Sequence, residues 1–145
     1  FVKYQNKAAD NKAEAQADIK AVEVLFTPQE QNIISRFLIL KELAEKGNCV
    51  IVGRCSDYVL RDNRNCLRVF FSAPMENRMK RVMERRHLSE KDARQKIQKE
   101  DKWRADNYRY YTGRIWGAAG NFDLTVNAAL GEDYIEMCIR EAMKR

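Results

Sequence analysis

Arginine carries the chemistry most legible in this chain. Arg54 follows Cys49-Val50-Ile51-Val52-Gly53, a short apolar run stopped by glycine. Such a run reads as a buried strand of a parallel sheet. Ligands of open α/β sheets bind beyond the carboxyl ends of the strands. Arg54 therefore stands where a ligand would, and its planar guanidinium suits phosphate or carboxylate. A structural reading pairs Arg54 with Asp57 or Asp62 instead. Asp57 itself can hold Arg54, accept a ligand hydroxyl, or simply cap a helix.

A second set of cations lies in residues 101–114, DKWRADNYRYYTGR, where arginines alternate with aromatics. On a helix Asp101, Arg104 and Tyr108 share a face. Arg109 and Arg114 come near the helix end and in the loop after it. Three arginines at a helix–loop boundary can close over phosphates as a mobile lid does. Phosphoryl transfer relies mostly on positioning and charge stabilisation, so Arg104, Arg109 and Arg114 are the catalytic candidates. Gly53, Arg54, Asp57 and Asp101 are the substrate-binding candidates. The aromatics can instead stack on nucleic-acid bases, or pack the helix down.

Other chemistries find little support. His87 is the one histidine, at a polar helix end that suits a surface or capping role. No His or Cys cluster has zinc spacing, no metal-binding residue is assigned, and no Ser/His/Asp arrangement stands out. The sequence holds neither GxxxxGKS/T nor GxGxxG. A P-loop enzyme needs the backbone N–H groups and the lysine of the first of these to hold a donor triphosphate.

The elements that must position the arginines follow from pattern and punctuation. Thr27-Pro28-Gln29-Glu30 starts a helix with a capping box. Ile33, Ile34, Phe37, Leu38, Leu40 and Leu43 give it a broad apolar face, and Gly47 ends it as a left-handed cap. Strand 49–53 follows, then a short helix or turn over 56–62 and a second strand over 67–71. A helix over 75–86 carries Met75, Met79, Val82 and Met83 on its apolar side. Ser89 with Asp92 opens a helix to about Tyr111. Gly113, Gly117 and Gly120 punctuate a loop, and 122–127 is a third strand. Glu132 and Asp133 open a last helix whose buried side takes Ile135, Met137, Cys138, Ile139 and Met143.

Strands alternating with helices imply an α/β fold, a parallel sheet covered on both faces. Three strands are few for such a sheet, which suggests that N-terminal strands are missing. At 145 residues, 45% hydrophobic and 33% charged, the chain suits one globular domain. No apolar run spans a bilayer and no signal peptide is visible, so a cytoplasmic location is expected. Cys49 and Cys138 read as small core residues. Residues 76–114 hold 13 Lys+Arg against 7 Asp+Glu, which accounts for the whole formal charge of +6. That stretch calls for an anionic partner, or is a solvated basic helix face. Residues 1–20 can form a surface helix or a loosely ordered segment.

The segments LAEKGNCVIVGRCSDYVLRD, LRVFFSAP, DKWRADNYRYYTGRIWG and NFDLTVNAA resemble the cytidylate kinase-like proteins, relatives of cytidylate kinase among the P-loop nucleoside monophosphate kinases. The resemblance covers about residues 30–145. It implies a three-layer α/β/α fold around a five-stranded parallel sheet, an arginine-bearing lid over about 89–120, and transfer of the γ-phosphoryl of ATP, with Mg²⁺, to a monophosphate such as CMP or dCMP. On that pattern Gly53-Arg54 matches the Gly-Arg that grips the acceptor. Arg104 and Arg109 match lid arginines. Asn121-Phe122-Asp123-Leu124 matches the last strand, near the adenine. By position residues 1–26 fall in the monophosphate-binding region. The chain departs from the pattern at Cys55, where cytidylate kinases carry an acid, and in lacking the P-loop expected upstream. The competing functions are a nucleotide-binding domain without catalysis and a basic nucleic-acid-binding module.

Overall fold

The computed structural model describes residues 2–4 and 28–144, with side chains from residue 32 onward. The chain is α/β, as its pattern of elements implies. Its contacts gather into two compact units, Phe1–Arg68 and Val69–Arg145.

In the first unit, strand β1 (Val2–Tyr4) is followed by helix α1 (Pro28–Glu45), strand β2 (Cys49–Ile51) and the one-turn helix α2 (Ser56–Val59). Strand β3 (Cys66–Ser72) begins here and runs on into the second unit. The backbone of β1 pairs antiparallel with β2, Lys3 opposite Val50, and with the start of β3, Lys3 opposite Leu67. β2 and β3 therefore run parallel to each other with an antiparallel strand between them. That strand departs from the all-parallel sheet expected, because three residues are too few for a periodic pattern to reveal. The other expectations for residues 1–26, and the capping box at Thr27, lie outside the described residues.

Leu40 and Ala44 of α1, Val59, Leu60 and Cys66 form the core of this unit, with Phe37, Cys49 and Ile51 packed against it. Three expectations are corrected here. Leu43 is 45% exposed, so the apolar face of α1 is narrower than its sequence implies. The apolar run at β2 is not buried throughout: Val50 and Val52 are 52% and 71% exposed. Among the described residues β2 pairs only with β1, and an edge strand alternates its faces. Gly47 has φ 151°, a glycine conformation but not the compact left-handed cap expected.

In the second unit the rest of β3 pairs in parallel with β4 (Leu124–Asn127), Val69 opposite Leu124 and Ser72 opposite Asn127. Between them come helices α3 (Met75–Arg86) and α4 (Glu90–Thr112), which pack on each other. Met79, Ala93, Ile97 and Tyr108 are their buried residues. Ser89 caps α4 as its spacing foretells: its hydroxyl accepts from the Asp92 N–H at 3.2 Å and donates to the Asp92 carboxylate at 2.6 Å. His87 ends α3 in a left-handed conformation, the capping position expected. Helix α5 (Glu132–Ala142) packs against β4, with Ile135, Cys138 and Ile139 half-buried. Met137, expected on that side, is 53% exposed. Among the described residues no helix is long and apolar enough to cross a membrane.

Candidate functional site

The first group of candidates sits on the turn between β2 and α2. Gly53, Arg54 and Cys55 follow one another with φ of 70°, 58° and 56°. Glycine takes this left-handed region freely, whereas each side chain there costs about 1–2 kcal/mol. The turn is closed by the Ser56 N–H on the Gly53 carbonyl at 3.1 Å, and by the Tyr58 and Val59 N–H groups on the Cys55 carbonyl, both at 3.0 Å. Ser56 is buried beneath it. The turn thus lifts Arg54 into solvent. Among the described residues Arg54 forms no ion pair with Asp57 or Asp62; Asp62 is instead 3.4 Å from Arg61. Asp57 is half-buried in the first turn of α2, and its charge bears on the neighbouring thiol. Burial first, and that charge second, push the Cys55 thiol up to about 11.

The second group lies where α3 crosses α4. Asp101 accepts a two-pronged hydrogen bond from Arg78, Nη1 to Oδ2 at 2.6 Å and Nη2 to Oδ1 at 2.7 Å. Arg104 donates to the same Oδ1 at 3.0 Å and, through its other nitrogen, to Glu100 Oε2 at 3.0 Å. Lys96 holds the second oxygen of Glu100 at 3.0 Å. Hydrogen bonding to Asp101 raises the Arg78 guanidinium above its ordinary range, and partial burial pulls the other way. The hydrogen bond from Lys96, followed by the charges of Lys96 and Arg104, holds the Glu100 carboxyl below its ordinary range.

Asp101 and Arg104 are therefore brought together as their spacing on one helix face implies. Tyr108 shares that helix and is buried, so it packs α4 down, whereas Trp103 and Tyr110 are 63% and 80% exposed. Arg78 was not legible as a site residue, because its partner is 23 positions away and no local rule links them. Lys96 and Glu100 did leave a signal: Lys96, Glu100 and Arg104 recur every fourth residue, the spacing of helical ion pairs.

Arg109 stays exposed in the last turn of α4, with no ion pair among the described residues. Gly113 then caps the helix at φ 67°, its N–H on the Arg109 carbonyl at 2.8 Å. The half-buried Arg114 is fixed at its backbone, its N–H bonding to Thr112 Oγ1 at 3.1 Å. Asn121 ties the far end of the loop back, Nδ2 to the Ile115 carbonyl at 2.9 Å. The loop also carries an aromatic group, with Phe70 of β3 edge-on to Trp116 at 5.5 Å and 5.0 Å from Phe122.

A groove of about 690 Å³ opens in the first unit, lined by Ile34, Phe37, Leu38, Tyr58, Arg61 and Arg64 among others. Gly53, Arg54 and Asp57 do not line it. Arg61 there is engaged locally, 4.4 Å above the Tyr58 ring. Among the described residues no group of three or more His, Cys, Asp or Glu could hold a metal ion.

The model of the cytidylate kinase-like family matches residues 4–129. The chain belongs to the cytidylate kinase-like family. That span takes in β2, the Gly53–Cys55 turn, the α3–α4 pair and β4, so every candidate residue lies within the family's own segment. Among solved structures, the crystal structure of an uncharacterized protein from Eubacterium ventriosum is similar, with a TM-score of 0.76 and 30% identity over 88% of this chain and 74% of that one. No curated protein matches the chain. Family membership points to a nucleotide kinase, and a surface rich in arginine agrees with a phosphate-bearing substrate.

Proposed function

We propose that this protein transfers the γ-phosphoryl group of ATP to a nucleoside monophosphate, with CMP or dCMP as acceptor, in the cytoplasm. The observation that carries this reading is Arg54, an exposed cation without an ion pair among the described residues, held in a left-handed turn at the end of a strand. Non-glycine residues kept in such conformations cluster at ligand sites, where the strain is offset by what the side chain does there. In this reading Gly53 and Arg54 grip the acceptor phosphate and Asp57 accepts a hydroxyl of the nucleotide. Arg104, Arg109 and Arg114 stabilise the charge on the transferring phosphoryl group. Asp101 and Glu100 hold Arg104 until the phosphate arrives.

Magnesium belongs to this reading as a companion of the donor, because it keeps much of its water and binds through substrate phosphates in kinase sites. The sequence holds no GxxxxGKS/T loop, so the cradle for the donor triphosphate is not assigned to particular residues.

The test is a phosphoryl-transfer panel on the full-length protein, with ATP and Mg²⁺ against CMP, dCMP, UMP, AMP and GMP. Turnover with the cytidine nucleotides is expected. Arg104→Ala should then lose far more rate than stability, toward the roughly 10³-fold effects of transition-state arginines. Monophosphate binding without any turnover would leave a nucleotide-binding domain, and would overturn the kinase reading.

A further inference from the structure

Each of the two carboxylates that Arg104 touches is also held by another cation. Asp101 has the two-pronged bond from Arg78, and Glu100 has Lys96. The group holds three cations against two acids, and Arg104 is the surplus charge. It is also the looser partner of Asp101: one bond at 3.0 Å, against two at 2.6 and 2.7 Å from Arg78. The Arg104 side chain is 43% exposed, that of Arg78 31%. Departure of Arg104 would strand neither acid. Without Arg78 the same departure would leave Asp101, whose side chain is only 24% exposed, an unpaired carboxylate.

We propose that Arg104 is an exchangeable arm, parked on Asp101 and Glu100 and released to an oligophosphate, and that Arg78 is the positioning residue that keeps Asp101 neutralised when it leaves. This deepens the reading of Arg104 as a phosphate-binding residue and rests on it. Arg78 touches no phosphate in this scheme. It sets how freely Arg104 reaches one. Lys96 plays the same part at Glu100.

The experiment is calorimetric titration of the full-length protein with inorganic tripolyphosphate at fixed ionic strength. Arg104→Ala should weaken binding about tenfold, in line with loss of a charge-assisted contact. Arg78→Gln should weaken it roughly fivefold, the scale of a partly exposed ion pair that must now be broken. Adding Asp101→Asn to Arg78→Gln should restore affinity to within about twofold of wild type, since the stranded carboxylate of Asp101 is gone and Glu100 is still held by Lys96 when Arg104 leaves. A role of Arg78 in folding alone predicts a double variant as weak as the single one, or weaker. Should Arg78→Gln not fold, the other arm gives the same pattern: Lys96→Gln weakens binding and Lys96→Gln with Glu100→Gln restores it.

Wild-type affinity in Arg78→Gln, or no recovery in the double variant, overturns the proposal. So does tripolyphosphate binding that ignores Arg104→Ala, or none at all. CMP phosphorylation measured on the same samples separates this from the kinase reading. Restored binding without turnover upholds the exchange and removes the kinase; turnover without the restoration does the reverse.

Discussion

The tip of the Phe70 ring occupies the place where a side chain on Gly117 would begin. A Cβ there would meet Phe70 Cζ at 2.9 Å, and Gly117 already has φ 76°. The loop after α4 is thus closed onto β3 by backbone lying against an aromatic ring. Gly117→Ala should destabilise the protein by about 3 kcal/mol, combining the left-handed penalty with overpacking. Gly120→Ala is the control. It has open space around its Cβ and no positive φ, so a change below about 0.5 kcal/mol is expected. Urea denaturation midpoints of the two variants check this, and equal losses would remove the ring contact as the cause.

Cys55 should behave as an inert thiol despite standing beside Arg54. With its pKa at about 11 instead of 9.0, its thiolate fraction at pH 8 falls roughly 100-fold below that of an ordinary cysteine, and the thiolate is the reactive form. Alkylation by iodoacetamide, followed at the Cys55 peptide by mass spectrometry, should be slow at pH 8 and rise only toward pH 11. Asp57→Asn should speed it modestly, since burial is the larger cause. The sign for stability follows. The folded state holds this proton more tightly than the unfolded one, so the contribution is complete below pH 9 and is lost as pH rises through 11. Cys55→Ser should flatten the melting temperature over that window; an unchanged slope would show that the thiol is not its origin.

These two sites also mark what the sequence could and could not reveal. Ser89 with Asp92 obeys a rule that acts within one helical turn, and that cap stands where it was expected, whereas Gly113, read only as loop punctuation, turns out to cap the far end of the helix. The strand ending near Gly53 and the cation after it were legible for the same reason. The conformation of Arg54 and Cys55 was not, because side chains rarely enter the left-handed region and no residue type announces it. Arg78 and Asp101 meet through the packing of two helices, a non-local event that periodicity does not encode. Met137 and Leu43 fall on broad apolar faces, and only the packed neighbours decide which edge of such a face is covered.

The cap of α4 offers a stability change separate from the chemistry. Ser89→Ala removes both the bond to the Asp92 N–H and the one to its carboxylate. A loss of about 1 kcal/mol is expected, seen as a lower midpoint in urea. Ser89 lies about four turns from Arg104 along the helix, so kcat for nucleotide phosphorylation should stay within about twofold of wild type at temperatures where the variant is folded. A large drop in kcat without further loss of stability would mean that the start of α4 takes part in the reaction.

Arg54 allows function and strain to be pulled apart at one position. Arg54→Ala removes the guanidinium but keeps a Cβ in the left-handed region at φ 58°. Arg54→Gly removes both. If the turn holds Arg54 there at the expense of stability, the glycine variant should be the more stable of the two by about 1 kcal/mol, after the extra freedom of glycine in the unfolded chain is allowed for. Both variants should lose phosphorylation of the acceptor together, with the monophosphate KM raised, if the contact proposed for Arg54 is the one to the acceptor. Arg54→Lys should recover only part of it, since an ammonium cannot present the two parallel N–H groups of a guanidinium. Thermal melts alongside steady-state kinetics decide the matter. Equal stability of the alanine and glycine variants would mean that the turn is unstrained, and full activity in either would take the acceptor away from Arg54.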